Sequence, residues 1–340
     1  MTVTIKDVAT HAGVSPKTVS RVMNGEHHVK KAKQDAVLRA VEALGYRPNA
    51  FARSLSSARS YLIGLFFDDP ASGYASQMQR GALNACRTHS YHLLVDPVDL
   101  AADDWITSIV ATASSLRLDG VILPPPLSQS ARLIEALDEL SIPYVLVSPG
   151  PVTTTPAGIV DFDEQRAAAD MTRHLIEFGH RTIGFVEGDP HHASAALRLS
   201  GFTEAMAEAG LQVERSLVLP GDYSFRSGLE AGERMLGGGA KPTAIFASND
   251  DMALGVSIAA LKAGISVPSE LSIAGFDDAA TARLGWPPIT TVRQPVMEMG
   301  ASAVALLVDG SPRSGKASEN GRHHRLNYQI IARASTAGVA

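Results

Sequence analysis

The first 24 residues place apolar side chains at the spacing of two short helices. Apolar residues recur at three- and four-residue steps from Ile5 to Ala12, which predicts one amphipathic helix. Gly13 permits a tight turn after it. Ser15 followed by Pro16 is a typical helix start, because the serine hydroxyl caps the helix and proline suits its first turn. The segment therefore predicts two helices joined by a glycine turn.

The second helix is predicted to bury Val19, Val22 and Met23 and to leave its polar side chains outward. A helix, a glycine turn and a capped helix with a polar outer face describe a helix-turn-helix. Any two amphipathic helices give the same pattern, so periodicity alone leaves that alternative open. A third helix is predicted from Ala32 to Leu44, with its inward side chains at Val37, Leu38, Val41 and Leu44.

Residues 49–56 form a short segment that is compatible with a helix but too short to be helical alone. Leu55 lies close to Arg53 in this segment. An apolar side chain beside an arginine suits insertion into a DNA minor groove, on a helix that forms only there. The alternative is a linker whose Leu55 packs on the next domain.

From Tyr61 onward, short apolar runs alternate with amphipathic stretches of helix length. This pattern predicts parallel sheets covered on both faces. The expected fold class is α/β, with two doubly wound parallel-sheet lobes around a cleft, as in periplasmic binding proteins, and a small all-α N-terminal domain. The predicted strands are Leu62–Phe67, Tyr91–Val95, Gly120–Leu123, Tyr144–Val147, Gly158–Val160, Thr182–Val186, Leu217–Leu219, Ala244–Ala247, Ser272–Phe276, Thr290–Arg293 and Tyr328–Ala332. The predicted helices include Ser76–His89, Ser130–Leu140, Asp163–Phe178, Ala195–Ala209, Gly228–Leu236 and Met252–Ala263, and Ser311–Arg325 is interpreted as a surface loop.

Composition and charge narrow the class of protein. One cysteine in 340 residues rules out a disulfide framework. No apolar run approaches the length of a membrane helix, and no secretory signal opens the chain, so we expect a cytoplasmic protein without a membrane partner. The net charge of −5 is unevenly distributed along the chain. Residues 1–60 carry a net charge of +6, and the remaining residues carry −11. A polyanion partner is therefore expected for the N-terminal segment only.

Polar residues follow many of the predicted strands, at the carboxyl ends where such sheets bind ligands. The candidate cleft residues from this reasoning are Asp68, Tyr74, Ser148, Asp161 and Tyr223. Carboxylates and amides suit sugar hydroxyls, and a tyrosine ring can stack on a sugar face. Asn249, Asp250 and Asp277 have the alternative role of capping helices, and we assign Asp250 mainly to capping.

The strings IKDVATHAGVSPKTVSRVMN, GYRPNAFARSL and SYLIGL resemble the DNA-binding headpiece of the LacI/GalR family of transcriptional repressors. The resemblance implies a second helix that lies in the major groove and a hinge helix that folds against the minor groove on operator DNA. By position, Pro16, Lys17 and Arg21 take the base-reading places, and Leu55 takes the intercalating place beside Ala52. The candidate DNA-contacting residues are Thr4, Ser15, Pro16, Lys17, Thr18, Ser20, Arg21, Asn24, Asn49, Ala52, Arg53 and Leu55.

Two residues depart from the family's pattern. Pro16 has no hydrogen-bonding side chain and can offer a base only van der Waals contact. Lys30 stands where the family usually has a serine or threonine that caps the third helix. That cap is therefore expected to be weaker or to come from a neighbouring residue.

The resemblance continues through the rest of the chain and implies an effector-binding domain. Arg198 is favoured as a ligand group, whose planar guanidinium is expected to hold two adjacent sugar hydroxyls. The residues that match the family's effector positions are Ser194, Arg198, Asn249, Asp277 and Gln294, with Tyr223 in the place of an aromatic residue.

The implied boundaries are 1–48 for the helix-turn-helix headpiece, 49–60 for the hinge helix and linker, and 61–340 for effector binding and dimerisation. The lobes are expected at about 61–160 plus 292–320, and at 162–290 plus the C-terminal strand. Chain crossovers are expected near 161, 291 and 320. Repressors of that family that tetramerise do so through a C-terminal coiled coil, and no heptad repeat follows the last strand here, so the resemblance implies a homodimer.

An enzyme and a plain solute-binding protein are the rival classes. The sequence has no G-x-x-x-x-G-K-[ST], H-E-x-x-H or G-x-S-x-G motif, and adjacent acids in a loop do not face one glycosidic bond from both sides. His191 and His192 lack a third ligand at metal spacing, so neither a metal nor a cofactor is expected. The expected function is a ligand-responsive repressor of carbohydrate-utilisation genes, which a sugar releases from its palindromic operator DNA. The alternative is a corepressor-dependent repressor with a purine-like effector.

Overall fold

The computed structural model of the protein describes residues 3–23, 29–46, 59–68, 72–151, 158–309 and 323–339. The chain divides into two compact units, Met1–Tyr61 and Leu62–Ala340. In the described part of the first unit the helices are α1 (Ile5–Ala12), α2 (Pro16–Met23) and α3 (Lys31–Leu44). The three predicted helices are confirmed, with ends within one residue of those expected.

The three helices of the first unit close around a small core of Val8, Ala9, Val19, Val37 and Ala40. The predicted inward position of Leu38 is wrong, since 54% of Leu38 is exposed. At about 100° per residue, Val37, Val41 and the buried Ala40 share one arc of α3, and Leu38 is turned away from it.

Local hydrogen bonds begin the first two helices where the sequence predicts. The Asp7 carboxylate accepts from the backbone N–H of Thr4 (2.8 Å) and from its hydroxyl (2.7 Å), and these bonds lower the pKa of Asp7. The Ser15 hydroxyl accepts from the backbone N–H of Thr18 (3.2 Å). Gly13 adopts the left-handed conformation that ends α1 (φ 64°). The Lys30 side chain makes no capping hydrogen bond at the start of α3.

The second unit alternates strands and helices. Its strands are β1 (Leu62–Phe67), β2 (His92–Pro97), β3 (Gly120–Leu123), β4 (Tyr144–Val147), β5 (Gly158–Phe162), β6 (Ile183–Val186), β7 (Val218–Leu219), β8 (Ala244–Ala247), β9 (Ser272–Asp277), β10 (Thr290–Arg293), β11 (His323–Leu326) and β12 (Gln329–Ile331). Its helices are α4 (Gly73–Thr88), α5 (Trp105–Ser115), α6 (Ala131–Glu139), α7 (Glu164–Glu177), α8 (Ala193–Glu208), α9 (Phe225–Leu236), α10 (Asp250–Lys262), α11 (Ala280–Leu284) and α12 (Val296–Asp309). The predicted strands are each within two residues of these bounds.

In the described residues the strands form two six-stranded sheets, with the orders β11-β5-β4-β3-β1-β2 and β12-β10-β9-β8-β6-β7. Every pair among these strands is parallel except β10 with β12, whose register pairs Val292 with Ile330. Each sheet with its helices forms one lobe, called here the first and the second lobe. The expected fold class is confirmed.

The segment after β10 corrects part of the prediction. Residues 323–326 form β11 beside β5 in the first lobe, where the sequence was interpreted as loop. The crossover follows Arg293, because β10 is wholly in the second sheet. Helix α12, which the pattern did not single out, returns to the first lobe against α4. A Cβ at Gly81 would lie 1.9 Å from the carbonyl oxygen of Met297, so the two backbones touch there.

Among the described residues, no helix is long and apolar enough to cross a membrane.

Candidate functional site

Helix α2 of the first unit presents a polar outer face. Val19 is fully buried, whereas Pro16, Lys17 and Arg21 are exposed and Ser20 is half-buried. These four polar-face positions fall within about 140° of arc on a helix with 3.6 residues per turn. Such a face, with two cations and no acid, has the chemistry needed to contact DNA phosphates and base edges.

Three further candidate DNA-contacting residues have structural roles in the same unit. Thr4 and Ser15 are exposed at the starts of α1 and α2. Thr18 is half-buried, and its hydroxyl lies 2.9 Å from that of Ser15. The remaining candidates and the predicted hinge helix lie outside the described residues: Asn24, Asn49, Ala52, Arg53 and Leu55.

The second unit contains a cavity of about 680 Å³ between its two lobes. Its walls are built from residues at the carboxyl ends of parallel strands, where side chains from successive strands converge. Nine of the ten predicted effector residues line it, namely Asp68, Tyr74, Ser148, Ser194, Arg198, Tyr223, Asn249, Asp277 and Gln294.

Asp161, the tenth, lies elsewhere. Its carboxylate accepts from Nε of Arg325 (3.1 Å) and lies 2.8 Å from Nε2 of His323, both on the neighbouring strand β11. Glu164, at the start of α7, takes part in the cavity instead. Side chains alternate along β5, so an acid near its end can point away from the cavity, while the next helix begins toward it.

Arg198 forms the centre of the second-lobe wall and is 5% exposed. Its Nε and Nη2 atoms both donate to Oε2 of Glu164, at 3.0 and 2.9 Å. Its Nη1 atom donates to the carbonyl of Ser248 (2.5 Å) and lies 3.9 Å from Oδ1 of Asp277. The donor fork expected to hold two sugar hydroxyls is therefore already engaged by Glu164.

The surroundings of Arg198 hold it charged. Its guanidinium lies 3.8 Å from the centre of the Phe276 ring, in cation–π geometry. Burial opposes the charge, but the interactions with Glu164, Tyr223 and Asp277 together outweigh burial and raise the pKa of Arg198. Burial raises the pKa of Asp277 to about 7, although Arg198 and a hydrogen bond from Gln294 (2.5 Å) oppose this rise.

Asn249 serves as a helix cap and as a cavity residue at once. Its Oδ1 accepts from the backbone N–H of Met252 (2.9 Å), which caps α10. Its Nδ2 donates to the carbonyl of Tyr223 (2.8 Å), and the Tyr223 hydroxyl lies 3.1 Å from that of Ser194. These bonds fix the orientation of three cavity side chains before any ligand arrives.

The capping role assigned to Asp250 is wrong, because Asn249 is the cap. Asp250 is fully buried, where it accepts from the Thr291 hydroxyl (2.6 Å) and from the backbone N–H of Ala279 (2.7 Å). It therefore joins the start of α10 to β10 and to the loop after β9. Burial raises the pKa of Asp250, and the nearby Asp277 carboxylate adds to the rise.

Two regions of the sequence match known family profiles. Residues 4–49 match the lacI family of bacterial regulatory proteins, and residues 172–336 match a periplasmic binding protein-like domain. The chain is 36% identical to catabolite control protein A of Priestia megaterium over 308 residues, which covers 90% of this chain and 92% of that relative. The chain belongs to the lacI family. It is a DNA-binding transcriptional regulator.

Solved structures of two other regulators share the fold of this lacI-family member. A complex of the transcriptional regulator CelR with cellobiose aligns over 98% of this chain and 99% of its own, at 29% identity and a TM-score of 0.74. The Lac repressor dimer bound to operator and the anti-inducer ONPF aligns over 99% and 100%, at 27% identity and a TM-score of 0.79.

Two cavity hydroxyls of this lacI-family regulator are buried without a hydrogen-bond partner in the described part of the chain. They are the phenol of Tyr74, at the start of α4, and the hydroxyl of Ser148, after β4. Burial raises the pKa of Tyr74, which keeps it a donor. A buried hydroxyl without a partner is costly, so both groups are available to a polar ligand.

Sequence reasoning missed other cavity residues, notably Glu164 and His192. The His192 ring packs edge-on against Tyr223, with centroids 5.4 Å apart, and burial lowers the pKa of His192. The only sequence signal for both was their place at helix starts that follow strands. Among the described residues, no group of three or more His, Cys, Asp or Glu is arranged to hold a metal ion.

Proposed function

We propose that this lacI-family regulator is a homodimeric repressor of carbohydrate-utilisation genes. It acts in the cytoplasm and binds an inverted-repeat operator. A sugar that occupies the cavity releases the protein from that DNA. The polar face of α2 supplies the contacts to DNA, and two copies of that face fit a two-fold symmetric site. The Lac repressor was solved as a dimer on operator DNA, which supports the same arrangement here.

The charge balance of the cavity carries the proposal of a sugar. Among the described residues, six carboxylates line the cavity: Asp68, Glu164, Asp189, Asp222, Asp251 and Asp277. Arg198 is the single Lys or Arg among the described lining residues, and Glu164 and Ser248 already engage it. An anionic ligand would meet net negative charge there, whereas a neutral polyhydroxylated ligand finds acceptors and the free hydroxyls of Tyr74 and Ser148.

The size of the cavity and the ligand of one similar protein also support a sugar as the effector. A volume of about 680 Å³ lies in the range of small-molecule sites and leaves room for more than one sugar ring. CelR was solved with cellobiose, a disaccharide, on the same fold. The alternative, a purine-like corepressor, is favoured by the two tyrosines of the cavity, Tyr74 and Tyr223, whose rings can stack on a planar base.

A ligand screen separates these possibilities. Thermal unfolding of the full chain is followed with neutral mono- and disaccharides, with sugar phosphates, and with nucleobases. A ligand at 100 times its Kd adds about 2.7 kcal/mol to the free energy of unfolding. We expect a neutral sugar to raise the midpoint and to lower operator affinity. Stabilisation by a nucleobase that also strengthens operator binding would favour the corepressor instead, and stabilisation by a sugar phosphate would contradict the charge argument.

An exposed apolar surface on the second lobe is proposed as the dimer contact. Trp286 is 92% exposed, Leu284 82% and Leu261 73%. Leu261 lies on α10, two helical turns after Leu254. Helix α10 packs against α11, and Trp286 follows α11 by two residues. A large exposed aromatic flanked by leucines is typical of an interface rather than of a solvated surface.

Trp286→Glu tests this contact. A buried interface tryptophan contributes about 2–4 kcal/mol, so the change should weaken dimerisation roughly 30- to 1000-fold. Sedimentation equilibrium measures the dimer, and operator binding should weaken with it. Leu140→Glu is the matched control, because Leu140 is 53% exposed in the first lobe and should leave the dimer intact. A Trp286→Glu protein that stays dimeric would place the contact elsewhere.

A further inference from the structure

Helix α8 carries Ser194 and Arg198 but lacks a cap of its own. His192 precedes the helix and makes no side-chain hydrogen bond to its first turn. Five other helices of the unit are capped by the residue that precedes them, through Ser72, Ser130, Asp163, Ser224 and Asn249. The first N–H groups of α8, which have no partner within the helix, must therefore find acceptors elsewhere.

The acceptor for the first of these groups comes from the other lobe. Oε1 of Gln129 accepts from the backbone N–H of Ala193 at 3.0 Å. Gln129 ends a short 3₁₀ turn that follows β3, in the first lobe. Ala193 is the first residue of α8, in the second lobe. The hydrogen bond therefore crosses from one lobe to the other.

The backbones of the two lobes also approach each other at this point. A Cβ built on Gly150 would lie 3.0 Å from the Cβ of Ala193, which is tighter than an ordinary contact. Gly150 adopts φ 72°, a conformation that glycine tolerates and other residues rarely adopt. The start of α8 thus lies against the first lobe, so an opening of the cleft would separate it from Gln129.

We propose that Gln129 is a positioning residue that caps α8 across the cleft only when the lobes are closed. The proposal deepens the proposed function, since it concerns the helix that carries Ser194 and Arg198 in the effector cavity. When the lobes open, the first turn of α8 loses its acceptor and frays. Closure of the two lobes and ordering of the first turn of α8 then occur together.

The other end of the Gln129 amide opposes closure. Its Nε2 atom is buried and has no hydrogen-bond partner in the described part of the chain. A buried donor without a partner is costly, whereas water satisfies it once the lobes open. The cap favours the closed form and the orphaned donor disfavours it. A ligand that contacts both lobes adds its own hydrogen bonds to the cap and so favours the closed form.

Amide hydrogen exchange on the full-length protein without ligand tests the cap. Gln129→Leu removes the acceptor and should speed exchange at Ala193 and its first-turn neighbours about two- to thirtyfold, the range that N-cap removals give. Gln129→Glu keeps an acceptor at the helix N-terminus and should restore protection. Gln165→Leu is the matched control, because the Gln165 amide donates to Glu204 of α8 (2.8 Å) within the second lobe. This control should leave the first turn unchanged.

Two outcomes would overturn the proposal. Unchanged exchange at Ala193 in Gln129→Leu would show that Gln129 does not cap α8. Faster exchange throughout the second lobe, with a lower unfolding midpoint that Gln129→Glu does not restore, would show a general structural role. Neither measurement needs the effector, so a failed sugar screen would contradict the proposed function and leave the cap standing.

Discussion

The buried pair of Arg198 and Glu164 allows a test in which stability and ligand response separate. Arg198→Met and Glu164→Leu each remove one partner, and the double variant removes both. The two side chains are 6% and 5% exposed, and the pair is held by two contacts of 2.9 and 3.0 Å. Little solvent therefore screens the interaction, and a single substitution leaves the other charge in a poorly solvated place.

The magnitude follows from that burial. Removal of one partner of a buried ion pair costs about 3–5 kcal/mol, while replacement of both by apolar residues is often nearly neutral. For domains of 150–250 residues, 1 kcal/mol moves the unfolding midpoint by about 2–4 °C. The second unit is somewhat larger, so each single variant should unfold about 6–10 °C below the wild type. The double variant should regain most of that difference, which a double-mutant cycle expresses as coupling.

Scanning calorimetry gives the midpoints, and operator binding by fluorescence anisotropy is measured well below them. Without ligand, operator affinity should stay near that of the wild type, because the polar face of α2 is unchanged. The single Arg198→Met variant and the double variant should each bind the sugar found in the screen about 2–4 kcal/mol more weakly, because the guanidinium N–H groups that Glu164 and Ser248 leave over, and the wall that Arg198 orders, are both lost. A single variant with the wild-type midpoint would refute the energetic argument. A normal ligand response in Arg198→Met would mean that the cavity is not the effector site.

Two further predictions concern the headpiece and the pH dependence of stability. Arg21→Ala should cost about 1–3 kcal/mol of operator affinity and relax the sequence specificity at one base position. Arg39→Ala is the control, because Arg39 is exposed on α3 and its removal should have neither effect. Equal losses of affinity on specific and on random DNA would show that Arg21 contacts only phosphate. Burial lowers the pKa of His180, whose Nε2 donates to the carbonyl of Ala337 (3.1 Å), so the unfolded chain protonates this group first and the contribution of His180 to the free energy of unfolding should fall as pH drops through about 6.5. His180→Gln should flatten that fall in a series of thermal midpoints against pH, and parallel curves for the two proteins would contradict the assignment.

The sheets were predictable because their strands are continuous apolar runs that are buried on both faces. Phe66, Phe185 and Phe246 show the rule, since all three are fully buried on strands that were predicted. β11 reads HHRL and pairs only at the edge of the sheet, so no apolar pattern marks it. The start of α4 was placed three residues too late, because Ser72 was not recognised as its cap. Local propensity therefore located the core elements and failed at the polar edges.

The cavity was predictable to the extent that strand ends converge by topology. Polar residues after β1, β4, β8 and β9 meet there because parallel strands end at one edge of a sheet. The acid that pairs with Arg198 was not predictable. Asp161 and Glu164 are three residues apart, and they differ in whether the side chain points toward the cavity or away from it. The same holds for Gln129 and Ala193, whose hydrogen bond joins residues 64 apart in sequence. Pairings of this kind depend on how the lobes close.

The two walls of the cavity differ in how many of their polar groups already have hydrogen-bond partners. This difference bears on how a ligand would close the cleft. The second-lobe wall is internally bonded, with Arg198 on Glu164 and Asn249 on the carbonyl of Tyr223. The first-lobe hydroxyls, Tyr74 and Ser148, have no partner among the described residues. A ligand can shift a conformational equilibrium only by the difference in its affinity for the two forms. A ligand that first rests on the preformed second-lobe wall gains its additional hydrogen bonds from the first lobe as the cleft closes. If a ligand binds as proposed, the first-lobe hydroxyls therefore supply the additional free energy that it gains on closure.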